Sequence, residues 1–487
     1  MSAASERPLT RRTLIGGAAG AAAAAALPGA VAARARPRAP RAVDVVVVGA
    51  GLAGLTAARS LVHARKRVVV LEARDRVGGR ILNESLGGGK VVEVGGQWVG
   101  PGQDRIMALA RAVGVRSFKT YDRGTQIFDY RGRRQEFTGL IPPIPPEDQQ
   151  EFVGKLAELE QMAREVPLDR PASARRAPEW DGMTVETWKL QNLSRPGGRF
   201  LIDLLVESVF AVEPRDLSFL HFLFYGHAGG GFIKLASTSG GAQDSRFVGG
   251  SQLVAQRVAR RLGHRVVLGA AVSSLAQRGG RVHVESAAGS VVARRVIVAL
   301  PPTLAGRLDY HPILPSDRDQ LTQRMPQGSA IKCEAVYPTP FWRAHGQSGY
   351  VNSDREPIRL TYDNSPPDGR PGVLLGFALG DAARRLSHLS PRARRAEVIG
   401  AFTRFFGSQA AHPLRYLEHD WSKEEFTRGC YVGFMPPGVW SEYGDALRRP
   451  AGRIHWAGTE TATVGNGYMD GAVRSGERAA REVLRSL

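Results

Sequence analysis

The thirty residues from Val43 to Glu72 constrain the fold of this chain more than any other stretch. They open with Val43-Asp44-Val45-Val46-Val47-Val48, a β-branched apolar run too short for a helix of its own, which reads as a buried parallel strand. Gly49-Ala50-Gly51-Leu52-Ala53-Gly54 follows, then helix formers from Leu55 to Leu61 and a second strand pattern over Arg67–Leu71 that stops at Glu72. Strand, glycine-rich turn, helix and strand in this order have the form of a dinucleotide clasp. Gly49 permits the tight turn, Gly51 lets the backbone approach a pyrophosphate, and Gly54 lets helix and strand pack closely, while the helix N-terminus offers free N–H groups. Glu72, 18 residues after Gly54, is placed to accept hydrogen bonds from a ribose.

The clasp alone does not choose between a nicotinamide and a flavin. The run Ala73-Arg74-Asp75-Arg76-Val77-Gly78-Gly79-Arg80 continues from the acid-ended strand, with arginines beside a second glycine pair. Arg80 is suited to a bidentate phosphate contact. This run resembles the second signature of the large flavoprotein family that includes the amine oxidases, and the resemblance implies FAD.

At 487 residues the chain is too long for one ordinary core, so two domains are expected. The formal charge of +20 is compatible with a nucleic-acid partner, but the basic residues are scattered and form no aromatic-interleaved cluster, so a solvated arginine-rich surface is the reading adopted. The first residues carry Arg11-Arg12 ahead of an alanine-rich apolar run that ends near Leu27-Pro28-Gly29, with Ala30-Val31-Ala32 as a small-residue cleavage site. This pattern predicts a twin-arginine export signal over residues 1–32, a linker over 33–42, and a periplasmic or extracellular destination. The apolar run is too short for a permanent membrane anchor, and no apolar tail follows the last predicted helix. Only Cys333 and Cys430 occur, and no CxxC, HExxH or Cys/His cluster is present, so no metal site is expected. A homodimer is compatible with the sequence, and no residue pattern specifies one.

The order of patterns predicts an α/β architecture. A Rossmann-type FAD-binding domain is assembled from residues 43–117, 246–302 and 413–487, and a discontinuous α+β substrate domain from 118–245 and 303–412. Helices are expected at Gln103–Val113, Glu147–Glu165, Arg199–Val212 and Gln252–Leu262. Short strands are expected at Arg265–Leu268, Val272–Leu275, Arg281–Glu285 and Ser290–Ala293, with a separate buried strand from Val296 that ends at Pro301-Pro302.

The C-terminal run Ile454-His455-Trp456-Ala457-Gly458-Thr459-Glu460-Thr461, followed by Gly467-Tyr468-Met469-Asp470-Gly471, reads as a strand, a glycine turn and an amphipathic helix. With the earlier motifs it makes the chain resemble the flavin monoamine oxidase family from Val43 to Leu487. The resemblance implies cofactor contacts at Gly96, Gln97, Trp98, Val272, Trp421, Gly458, Glu460 and Met469, beside those at Gly49, Gly51, Gly54, Glu72, Arg74 and Arg80. It places at Cys430 a thioether to the flavin, at Tyr431 and Tyr468 an aromatic pair flanking the amine, and at Lys332 a residue that holds a water near the flavin. Gln243, in Gly240-Gly241-Ala242-Gln243, matches a glutamine that faces the substrate. Two departures bear on pocket shape: one extra residue before Phe247, and Trp98 where the animal enzymes carry a tyrosine. Two facing rings align an amine and exclude water. A buried lysine on a strand is costly unless it has a task.

The function implied is flavin-dependent oxidation of primary amines to aldehyde, ammonia and hydrogen peroxide, with amine and oxygen as the small-molecule partners. The alternatives are a diamine, polyamine or L-amino-acid oxidase of the same fold, or a flavin-bearing basic binding protein without turnover. An acid deep in the pocket would favour a second ammonium, and an arginine there a carboxylate.

Overall fold

A computed structural model of the chain describes residues 41–487. The expected export signal lies outside the described residues. The strand Ala42–Val48 is the centre of an eight-stranded sheet, parallel on one side to Val68–Leu71 and on the other to Val291–Val298. Val291–Val298 also pairs in parallel with Ile454–Trp456, so the C-terminal segment returns to the sheet that the N-terminal segment began.

The central strand is buried on both faces, which is why it reads as a continuous valine run rather than an alternation. Val45 and Val47 face a core formed with the helices Leu52–His63, Gln252–Leu262 and Met469–Ser486. Val46 and Val48 face the opposite core, shared with Leu275, Val282, Val284 and Trp456. The C-terminal helix is tied in by Asp470, whose Oδ1 accepts from the backbone N–H groups of Arg105 (2.7 Å) and Ile106 (3.0 Å) at the start of the helix Asp104–Ala112. That carboxylate satisfies donors no residue of the short helix reaches.

A second sheet of seven strands runs Arg415–Asp420, Ala330–Tyr337, Gly372–Leu379, Leu360–Asp363, Gln347–Ser353, Thr125–Tyr130 and Arg133–Phe137. The helices Pro146–Arg164, Pro196–Phe210 and Phe219–Gly229 share one core with residues of this sheet, among them Phe128, Leu360, Leu375 and Phe377.

The α/β architecture with two large sheets matches the expected fold class, and the expected helices fall within a few residues of their observed positions. Three details differ. Ser290–Ala293 and the strand from Val296 are one strand, Val291–Val298; Arg294 and Arg295 interrupt the apolar pattern without breaking the ladder, because their side chains reach the C-terminus and Ser486. Asp309–His311 pairs with Val272–Arg278 in the first sheet rather than joining the second. Arg415–Asp420 joins the second sheet, beside Ala330–Tyr337, although it precedes the C-terminal part of the first.

Candidate active site

The nucleotide end of the site is built by the turn after the central strand. Gly49 has φ +99°, a conformation that disfavours side chains, and its N–H donates to Leu71 O at 2.8 Å. A Cβ on Gly54 would lie 2.0 Å from Gly49 O, so only glycine lets the helix pack this close to the strand. A Cβ on Gly51 would meet nothing within 4 Å, because Gly51 borders a cavity. The helix Leu52–His63 that follows has no side-chain cap and no acid in its first turn, which leaves its positive end available to an anion. Glu72 is buried beside this turn; it accepts from Ala50 N at 2.6 Å and from Arg74 N at 3.1 Å, fixing the turn while still lining the cavity.

Arg74 is held by Glu424 (2.9 Å) and Thr427 (2.5 Å), some 350 residues away in sequence. Arg80 is held more tightly still. Its two terminal nitrogens pair with Glu460 Oε1 at 2.6 Å and Oε2 at 3.0 Å, and one of them also donates to Tyr431 O at 3.1 Å. Glu460 is fully buried and accepts from Gly433 N at 3.2 Å as well. Burial works against both charges, and their mutual attraction outweighs it, raising the arginine's pKa and lowering the carboxyl's.

Lys332 sits inside the second sheet, on the strand Ala330–Tyr337, and reaches the segment Glu93–Gln97. Its ammonium donates to the carbonyls of Glu93 and Gly95 (3.0 Å to the latter) and to Gln97 Oε1, and it stands 5.9 Å from the Trp98 ring and 5.8 Å from the Phe377 ring. Burial pulls its pKa down to about 8, against the pull of Glu334 and Glu93. Trp421 donates from Nε1 to Val94 O at 2.9 Å and fixes the neighbouring wall.

Beyond Lys332 the cavity becomes aromatic. Tyr431 packs edge-on to Phe377 with ring centroids 5.9 Å apart, and Tyr468 lies 6.2 Å from Tyr225. Trp98 leans on Tyr362 at 4.8 Å, and Tyr362 on Tyr350 at 5.0 Å. Burial raises the pKa of the phenols of Tyr225, Tyr362, Tyr431 and Tyr468, so all four are neutral near pH 7. Gln243 donates to Leu235 O at 3.1 Å, and its buried carbonyl oxygen has no protein partner among the described residues. Cys430 is a free buried thiol with its N–H on Gly328 O at 2.9 Å, and burial pushes its pKa up to about 12.

Both ends open into one cavity of about 540 Å³. Gly49, Gly51, Glu72, Arg74, Arg80, Gly96, Gln97, Trp98, Val272, Trp421, Gly458 and Met469 line it, as do Gln243, Lys332, Cys430, Tyr431 and Tyr468. Gly54 and Glu460 do not. Gly54 stands behind the turn, as its packing role requires. The chain matches the model of the family described as flavin containing amine oxidoreductase over residues 52–484.

The chain belongs to the flavin-containing amine oxidase family. The Mycobacterium tuberculosis protein AofH, whose name describes a flavin-containing monoamine oxidase, is 42% identical over 455 residues, covering 93% of this chain and 99% of that protein. The flavin-containing amine oxidase A of Bos taurus is 38% identical over 452 residues, covering 91% of this chain and 85% of that one. Among solved structures, a putrescine oxidase bound to putrescine is similar with a TM-score of 0.88 at 33% identity, covering 91% of this chain and 99% of that chain.

For a flavin-containing amine oxidase, the residues present fit FAD: the open side of Gly51, an uncapped helix start and the buried acid Glu72 form a cradle of the right chemistry for a dinucleotide. Two expected cofactor residues are paired with each other. Both oxygens of Glu460 accept from Arg80, and Glu460 stands behind that arginine rather than on the cavity wall. Glu460 engages the two terminal nitrogens of Arg80 end-on, and Arg80 itself lines the cavity with its Nε–H without a partner among the described residues. Sequence reasoning missed Tyr225, Tyr350, Tyr362 and Phe377. They sit on a buried helix and on alternating strands, where an aromatic residue looks like core, and only the three-dimensional packing turns them toward the cavity.

Proposed function

We propose that the protein oxidises primary monoamines with an apolar body, and that the amine binds between Tyr431 and Tyr468. The observation that carries this reading is the distribution of charge along the cavity. Its acids, Glu72 and Glu425, belong to the nucleotide end: Glu72 holds the Ala50 turn, and Glu425 sits in the loop whose Glu424 and Thr427 grip Arg74. The other end is walled by Ile141, Phe152, Leu201, Leu205, Tyr225 and Leu360 and carries neither acid nor arginine among the described residues. A diamine would leave its second ammonium unpaired there, and an amino acid its carboxylate, each at a cost of several kcal/mol.

FAD bound in this cavity would take a hydride equivalent from the amine α carbon and pass two electrons to oxygen, giving hydrogen peroxide. The chain's own part is to bind and orient. The faces of Tyr431 and Tyr468 attract the ammonium form during entry, and the surrounding apolar wall then favours loss of its proton to solvent, because desolvation disfavours the charged form. The phenols stay neutral, so the neutral amine needs no protein base, and the imine product hydrolyses to aldehyde and ammonia. The test is a substrate panel of aromatic and alkyl monoamines, diamines and L-amino acids, followed by oxygen uptake and peroxide release. Turnover confined to diamines or amino acids would overturn the reading.

We further propose that Cys430 forms a thioether to the flavin 8α carbon. Joining them removes the thiol hydrogen and one 8α hydrogen, two electrons overall, for which oxygen is the acceptor. Support comes from the place of Cys430 on the cavity wall beside Tyr431. Denaturing and filtering the holoprotein should leave the yellow colour on the polypeptide, and Cys430→Ala should release it; colour that washes from the native chain would refute the link. Export by the twin-arginine route is proposed from Arg11-Arg12. Cell fractionation tests it, and a Lys-Lys replacement that leaves the location unchanged would remove it.

A further inference from the structure

Strand alternation places Lys332 and Glu334 on one face of Ala330–Tyr337, two residues apart. Both are buried, Lys332 at 3% exposure and Glu334 at 0%. A closed ring of polar contacts joins them. The Lys332 ammonium donates to Gln97 Oε1, Gln97 Nε2 donates to Asn364 Oδ1 at 2.7 Å, and Asn364 Nδ2 donates to both carboxylate oxygens of Glu334 at 3.0 and 3.1 Å. The ring closes where Nζ stands 3.8 Å from Glu334 Oε1. Gln97 and Asn364 are as buried as the ions they link. Lys332 and Gln97 line the cavity, and Glu334 and Asn364 stand behind them.

The direction of every hydrogen bond in this ring is set by charge. An ammonium only donates and a carboxylate only accepts, so the two amides between them are oriented from cation to anion. Among the other ionisable groups around Lys332, Glu93 also pulls on its charge, but less than Glu334, and is itself bound to Arg246 in a buried ion pair. His419, opposite Lys332 across the sheet, has its pKa lowered by burial and lies 3.1 Å from Glu424. Cys430 stays a neutral thiol near pH 7. Burial pushes the Glu334 carboxyl up to about 7, against the pull of Lys332 and, more weakly, of Arg246, whose charge also bears on the lysine; from about pH 7 upward it is the Glu334 carboxylate that faces Lys332.

We propose that Glu334 is a positioning residue for this site: through Asn364 and Gln97 it aims the Lys332 ammonium and keeps it charged beside the flavin. This rests on the reading of the cavity as a flavin amine oxidase site. A fixed cation there stabilises negative charge that develops when two electrons arrive, without reorganising at that moment.

The test uses flavin-loaded enzyme and no amine, so it stands apart from the substrate question. The visible flavin band is titrated with pH, and the rate at which dithionite-reduced enzyme reacts with oxygen is measured across the same range. In the wild type both should share a midpoint that Lys332→Met abolishes. Glu334→Gln keeps the shape and removes the charge, and should move the midpoint down by about one to three pH units. Asn364→Leu cuts the link and should shift it less, in the same direction, which keeps the test available if Glu334→Gln does not fold. A merely structural Glu334 would lower stability and leave the midpoint in place. A midpoint unchanged in both variants, or one that survives Lys332→Met, overturns the proposal.

Discussion

Glu460→Gln is the perturbation that most sharply separates two roles for a buried acid beside a cofactor. The pair it breaks has contacts of 2.6 and 3.0 Å between groups exposed by 0% on the glutamate and 19% on the arginine. At 2.6 Å and an effective dielectric of about 20 the attraction is ~6 kcal/mol. Desolvating the two ions offsets most of this, so the intact pair adds little net stability, whereas removing one partner leaves a buried charge unpaired at about 3–5 kcal/mol. Glu460→Gln should therefore lower the urea midpoint of the flavin-free protein, followed by tryptophan fluorescence, by an amount equivalent to that loss. Arg80→Met with Glu460→Gln should recover much of it, because no orphan charge remains. If Glu460 instead met the cofactor directly, its loss would appear only in the flavin-loaded protein and Arg80→Met would rescue nothing. Additive losses in the double variant refute the pairing argument.

The glycine turn yields a paired expectation: Gly54→Ala should destabilise the fold by roughly 1–3 kcal/mol through the clash with Gly49 O, while Gly51→Ala should melt like the wild type yet bind FAD more weakly, as measured by fluorescence titration of the apoprotein. His221 is buried with its Nδ1 accepting from Trp440 Nε1 at 3.0 Å, and burial lowers its pKa from 6.5 to about 3. The unfolded chain then binds the proton first, so the stability it contributes is complete above pH 6.5 and is lost as pH falls toward 3, by up to ~1.4 kcal/mol per pH unit. His221→Gln should flatten the stability profile in that window, and an unchanged slope in urea unfolding between pH 4 and 6 would count against it.

The local signals in this chain were legible because they act at short range. The clasp at Gly49, Gly51 and Gly54 follows from turn sterics and helix ends, and the Lys332 strand from alternation. The same alternation places Glu334 beside Lys332, a Lys-x-Glu signal in plain view that carries meaning only once both residues are known to be buried. Arg74 with Glu424 and Arg80 with Glu460 are joined across 350 and 380 residues, and no periodicity reports such pairs. The Arg80–Glu460 pair is invisible in the sequence for that reason: an arginine beside glycines suits an anion equally well whether the anion is a cofactor or a carboxylate of the same chain. Arg294 and Arg295 split one strand into two in the sequence pattern because their partners lie at the far C-terminus.

Anaerobic titration of the yellow holoprotein with a phenylalkyl monoamine tests the assignment of the cavity most directly. The flavin band should bleach at stoichiometric amine and return on admitting oxygen, with one aldehyde formed per flavin, and a Tyr468→Ala or Tyr431→Ala variant should bleach more slowly at equal flavin content. A holoprotein whose band no amine bleaches, with FAD bound and the tyrosines intact, would contradict it.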